Sequence, residues 1–102
     1  MAFQPILDLA RGGVYAYEAL VRRPGGISAA EVFQGLEGQE LGRMERRLVW
    51  EAMAAAARLR LPGFLRINLG STLFGNEAAL NYLADMATRA GLSPGRIILE
   101  FP

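Results

Sequence analysis

Short apolar runs alternate with longer helical patterns along most of this chain, and this alternation constrains the fold more than any other feature. An apolar run at 3–9 is followed by Gly12 and Gly13 and by a run with β-branched and aromatic residues at 14–22, which predicts an antiparallel hairpin. Further strands are predicted over 64–69 and 97–101. Because strands that alternate with helices usually form parallel sheets, the sequence predicts an α/β fold with the order β-β-α-α-β-α-β.

Three helices are predicted from apolar spacing and from residues that favour helix ends. Ser28 and Glu31 have the capping-box spacing for a short helix, and Gly38 is expected to close it. A long helix follows from about 42 to 61. Its core face is predicted to carry Met44, Leu48, Ala52, Ala55 and Leu59, and its solvated face Glu45, Arg46 and Arg47.

The third helix is predicted between two residues that favour helix ends. Asn76 is expected to cap its start, and Gly91 follows its end. Its predicted core face consists of Leu80, Leu83, Ala84 and Ala87.

Composition narrows the chemistry that the chain can support. The 102 residues include no Cys and no His, which excludes disulfides, thiol nucleophiles, histidine bases and the usual zinc sites. A bound metal must therefore be held by oxygen atoms. A net charge of +1 gives no reason to expect a DNA, RNA or membrane surface. We expect a cytoplasmic chain without membrane insertion, because no signal-like start and no apolar run of about 18 residues occur.

Polar residues interrupt strands that should be apolar on both faces of a parallel sheet. Glu18, Asn68 and Glu100 each break an apolar run, and the last two lie close to the carboxyl ends of their strands. Ligands bind at that end in α/β sheets and barrels. Two carboxylates and an amide oxygen suit Mg²⁺ or Mn²⁺, and a cation would offset the cost of burying two negative charges.

Each of these polar residues also has a simpler explanation. A glutamate in a strand is commonly on a solvated face, and Asn68 is equally suited to capping a turn before Ser71. Arg22 fits an ordinary surface cation, and Gln4 fits a solvated position on an edge strand. Residue spacing alone therefore does not decide between a metal site and these simpler explanations.

The residues around these positions resemble the opening of an EAL domain, a bacterial family that hydrolyses cyclic di-GMP. Glu18-Ala19-Leu20 matches the signature tripeptide, and the preceding Gln-Pro-Ile strand stands at the right distance. The matching segments appear in the family's order and cover nearly the whole chain: FQPILDL at 3–9, YEALVR at 17–22, RINL at 66–69 and ILE at 98–100.

The resemblance implies a modified TIM barrel whose first strand is antiparallel to the others. It implies that Glu18, Asn68 and Glu100 bind a catalytic Mg²⁺ or Mn²⁺. It further implies that the cyclic dinucleotide is held by Gln4, Leu20 and Arg22. The reaction of the complete domain would be hydrolysis of cyclic di-GMP to linear pGpG.

Three positions depart from the family pattern. Gly70 stands where the family usually has Ser, Glu45 where it often has Asp, and Pro102 where it usually has Thr. The family's paired Asp, its Lys and its later Glu residues have no counterpart here, and all eleven basic residues of this chain are Arg. A complete barrel also needs about 250 residues.

We therefore expect residues 1–102 to be the N-terminal portion of a single, incomplete barrel that is inactive alone. An exposed sheet edge and an open interior predict a homo-oligomer. Two alternatives stay open at this point. One is a catalytically inactive half-domain that binds nucleotide or acts in protein assembly, and the other is an unrelated small α/β domain.

Overall fold

A computed structural model describes residues 1–73 and 77–101 of the chain. The strands and helices follow the predicted order β-β-α-α-β-α-β, which confirms the α/β class. Short 3-10 turns, Ser71–Leu73 and Pro94–Arg96, lie before α3 and β4. The main elements are β1 (Ala2–Asp8), β2 (Gly13–Leu20), α1 (Ala29–Phe33), α2 (Gly38–Leu59), β3 (Phe64–Asn68), α3 (Glu77–Ala90) and β4 (Ile97–Glu100).

The four strands form one sheet in the order β1-β2-β3-β4. β1 pairs with β2 in the antiparallel sense, while β2, β3 and β4 are parallel. Pro5 lies within β1, which is compatible with an edge strand because proline cannot donate a backbone hydrogen bond. β4 forms the other edge of the sheet in the described part of the chain. The reversed first strand places the start of β1 beside the carboxyl end of β2.

α2 and α3 pack against the sheet and enclose the apolar core. Met53 on α2 is fully buried, and it packs in one cluster with Ile67 of β3 and with Leu83 and Met86 of α3. Complete burial of side chains of this size stabilises the fold by roughly 1.5–3 kcal/mol each. Across the described residues, no helix is both long and apolar enough to cross a bilayer.

The link between α2 and β3 is a close-packed turn. Arg60 follows α2 in the left-handed conformation at φ 54°, so the helix ends at Leu59 and not at 61. Gly63 has φ +77°, and a Cβ at this position would lie 2.7 Å from the backbone oxygen of Tyr15. Only glycine therefore combines this backbone conformation with such close approach to β2.

Several sequence-based predictions were wrong in detail. Gly38 begins α2 and does not close α1, since α1 is followed by Gln34 and by Gly35 in the left-handed region at φ +77°. Leu59 and Leu80 are half exposed, because Leu59 is the last residue of α2 and Leu80 borders an open cavity beside Met53. The predicted cap Asn76 lies outside the described residues, as does Pro102.

The prediction that Glu45 is solvated was wrong. Glu45 was placed on the solvated face of α2 together with its neighbours, but its side chain is buried with 5% exposure. The reason is tertiary, because the turn after β3 packs over this part of α2.

Candidate metal and nucleotide site

Strand register gathers most of the predicted site residues on neighbouring positions of the sheet. Gln4 of β1 is opposite Glu18 of β2, and Glu18 is in turn opposite Arg66 of β3. Two residues further along β3, Asn68 is opposite Glu100 of β4. Residues paired in this way project on the same face, and alternate residues of a strand share a face. Gln4, Glu18, Asn68 and Glu100 therefore form two adjoining rows near the ends of the parallel strands.

Side-chain contacts join these rows. Asn68 Nδ2 donates a hydrogen bond to Glu18 Oε1 at 3.4 Å. Glu100 Oε2 pairs with Arg66 Nη2 at 2.5 Å. Both side chains of that ion pair are partly exposed, so water screens the interaction. The first contact thus joins β2 to β3, and the second joins β3 to β4.

Arg66 was given no role by the sequence analysis, although it occupies the centre of this arrangement. The hydrogen bond that Arg66 donates to Glu100 is the main cause that raises the pKa of Arg66 above its ordinary value, and the charges of Glu100 and Glu18 act in the same direction. One signal could have found it, because Arg66 lies two residues before Asn68 and must share its face. In this structure its guanidinium supplies the positive charge between the two carboxylates.

The two remaining predicted residues lie at the carboxyl end of β2. Leu20 is the last residue of that strand, whereas Arg22 follows it and is exposed. Arg22 Nη1 donates to the backbone oxygen of Val21 at 2.8 Å. Leu20, Arg22 and Asn68 line a cavity of about 220 Å³ beneath the strand ends. Ligand pockets are typically about 300–1,000 Å³, so a dinucleotide would have to lie over the strand ends and not inside this cavity.

The donor set is chemically suited to a hard divalent cation but supplies only part of its shell. Glu18, Glu100 and the amide oxygen of Asn68 are the oxygen ligands that Mg²⁺ and Mn²⁺ prefer. Octahedral coordination requires about six ligands. In the described part of the chain, no three His, Cys, Asp or Glu residues are grouped to hold a metal ion. The three donors therefore fit such an ion only if further ligands come from elsewhere.

Comparison with protein families decides the origin of this arrangement. The family model for the EAL domain matches residues 1–102, the whole chain. The chain belongs to the EAL domain family. Curated protein sequences give no match. The motifs that indicated this family are therefore not chance agreements, and the unrelated small α/β domain is excluded.

Solved structures show the same relationship. The EAL chain is 32% identical to BlrP1 from Klebsiella pneumoniae, described as a manganese and cyclic-diGMP complex, with a TM-score of 0.82. It is 30% identical to a standalone EAL protein from Vibrio cholerae O395 in a c-di-GMP bound form, with a TM-score of 0.85. The PaMucR phosphodiesterase, at 22% identity and a TM-score of 0.71, shares the fold.

These structures confirm the prediction of a partial TIM-like barrel with an antiparallel first strand. The match covers 97% of the EAL chain and 26% of BlrP1, and 99% of the EAL chain and 43% of the Vibrio protein. The chain thus spans less than half of either protein.

Proposed function

We propose that this chain forms the first part of an EAL-type phosphodiesterase site that hydrolyses cyclic di-GMP to linear pGpG. The observation that carries the proposal is the strand register, which puts Gln4 opposite Glu18 and Asn68 opposite Glu100 in an EAL family chain. The similar proteins are described as complexes with cyclic di-GMP and with manganese or calcium, which supports the same ligands here.

In this proposal, Glu18, Asn68 and Glu100 hold Mg²⁺ or Mn²⁺ through their side-chain oxygens. The ion would supply an activated water and stabilise charge that develops on the phosphodiester. To ligate it, Glu100 must give up its contact with Arg66, and the Asn68 amide must turn its oxygen toward the site. The side chains of Gln4 and Arg22, which are exposed, would donate hydrogen bonds to the nucleotide, and Leu20 would supply an apolar contact.

The proposal assigns no turnover to these 102 residues by themselves. Three oxygen donors leave the metal shell incomplete, and the chain has no Lys to act near the attacking water. We infer that residues 1–102 are the N-terminal portion of one EAL domain and that the rest of the site is supplied outside them. The cytoplasmic location predicted from the sequence is part of this proposal.

Nucleotide binding and hydrolysis by the purified chain test the proposal. In equilibrium dialysis with Mn²⁺, we expect weak binding of cyclic di-GMP that Glu18→Gln reduces. Asp85→Asn is the matched control, because it removes one carboxylate charge from the exposed face of α3. Chromatography should detect no appreciable pGpG.

Efficient Mn²⁺-dependent turnover would show that the site is complete, contrary to the proposal. If Glu18→Gln left the binding of cyclic di-GMP unchanged, the assigned site would be wrong. Binding without turnover, in a longer chain that contains the missing carboxylates, would favour the alternative of an inactive module that binds nucleotide or acts in assembly.

A further inference from the structure

Glu45 is a charged residue buried in the helix that supports the site. Its carboxylate Oε2 accepts a hydrogen bond from the backbone N–H of Thr72 at 3.1 Å and another from the Thr72 hydroxyl. Burial of a carboxylate is costly unless such bonds compensate it. Hydrogen bonds to a charged acceptor are about twice as strong as neutral ones. These two hydrogen bonds therefore hold the turn after β3 against the N-terminal half of α2.

Gly70 leaves open the space that this carboxylate fills. An ideal Cβ on Gly70 would lie 2.8 Å from Glu45 Cγ and closer still to the carboxyl group, whereas real Cβ atoms essentially never come within 3.0 Å of another atom. Two of the three positions that depart from the family pattern, 45 and 70, are therefore in direct contact. A longer acid at position 45 occurs together with the smallest residue at position 70.

The same turn follows Asn68, which is a proposed metal ligand and the last residue of β3. The Asn68 side chain is exposed, and its hydrogen bond to Glu18 is long at 3.4 Å. Because this bond holds the side chain only weakly, the position of Asn68 depends largely on its backbone, which continues into the turn. That backbone is fixed at Leu69, whose N–H donates to the backbone oxygen of Glu100 at 2.9 Å, and at Thr72 by Glu45.

We propose that Glu45 is a positioning residue for Asn68, and that it acts through Thr72 in the space provided by Gly70. The inference rests on the proposed function in so far as Asn68 is a metal ligand. The contacts of Glu45 with Thr72 and Gly70 are present without metal. NMR and hydrogen-exchange measurements on the metal-free chain therefore test this proposal, while Mn²⁺ affinity also tests the proposed function.

The first variants change the acceptor at position 45. Glu45→Ala removes it, whereas Glu45→Gln keeps its size and one oxygen. We expect Glu45→Ala to speed hydrogen exchange of the Thr72 amide, to shift the NMR signals of the Asn68 side-chain amide, and to weaken Mn²⁺ binding about 10-fold or more. Glu45→Gln should stay within about threefold of the wild-type Mn²⁺ affinity, since acceptor geometry is kept.

The second set tests whether positions 45 and 70 act as a pair. Gly70→Ala places a methyl group on the carboxylate and should weaken Mn²⁺ binding about 10-fold. In the Glu45→Asp background, where the acid is one methylene shorter, the same change should cost less than about threefold, because contacting residues are not additive. Leu83→Ala is the control for general destabilisation, since it lies in the core and should leave the Asn68 signals unchanged.

Each outcome decides the proposal. Faster Thr72 exchange with unchanged Asn68 signals would mean that Glu45 holds only the turn, and the proposal would be wrong. Additive effects of Gly70→Ala and Glu45→Asp would also overturn it. If the wild-type chain binds no Mn²⁺, the metal assignment fails, and the Asn68 signals in metal-free Glu45→Ala still decide the positioning role.

Discussion

Arg66 forms an ion pair with Glu100, which is also a proposed metal ligand. Its guanidinium contacts Glu100 at 2.5 Å and also feels the charge of Glu18. A divalent cation held by these glutamates would lie close to the positive charge of Arg66 and would be repelled by it. The free site is therefore balanced by an arginine, and metal binding must displace that arginine from at least one carboxylate.

Replacement of Arg66 should tighten metal binding. In Arg66→Gln the competing cation is gone while the three oxygen donors remain, so we expect a several-fold gain in Mn²⁺ affinity by calorimetric titration. Arg89→Gln, on the exposed side of α3, removes the same charge and is the control. Equal or weaker binding by Arg66→Gln would mean that the arginine supports the ligands and does not compete with the metal.

At the scale of elements, the local sequence predicts strands and helices better than it predicts the contacts of single side chains. The hairpin, the strand order and the long helix follow from period and turn residues, which act within a few positions. The burial of Glu45 and the pairing of Arg66 with Glu100 join residues 27 and 34 positions apart. Single-residue patterns carry no information on such contacts, and family resemblance identified only those site residues that the motifs contain.

Two leucines on α3 test which face of this helix stabilises the fold. Leu83 is 3% exposed and Leu80 is 49% exposed, although the sequence placed both in the core. Leu83→Ala should lower the free energy of unfolding by about 2–5 kcal/mol, because it removes buried methyl groups and leaves a cavity that the neighbours fill only in part. Leu80→Ala should cost less than about 1 kcal/mol. Urea unfolding followed by circular dichroism measures both values, and equal costs would contradict the described packing.

At the scale of the whole molecule, the four-stranded sheet has edges at β1 and β4 in the described part of the chain. Pro5 weakens β1 as a template for a further strand. β4 carries no proline between Ile97 and Glu100, so its backbone is the better template. We propose that copies of the isolated chain associate through this edge.

Light scattering over a range of concentrations tests the association. The wild-type mass should rise with concentration, and Ile98→Lys on β4 should reduce that rise because edge lysines oppose pairing. Leu9→Lys is the control, since Leu9 is 92% exposed at the far hairpin turn. A monomer at all concentrations, or equal effects of the two lysines, would contradict association through β4.

We propose that Glu18, Asn68 and Glu100 form one divalent-cation site at the strand ends of an EAL domain. Paramagnetic broadening by Mn²⁺ tests it most directly, because the ion broadens NMR signals only near where it binds, even when binding is weak. We predict that trace Mn²⁺ first broadens the amide signals around these three residues, and that Glu100→Gln abolishes this selectivity. Broadening that is instead spread over the carboxylates of the outer helices, or that is unchanged in Glu100→Gln, would contradict the account.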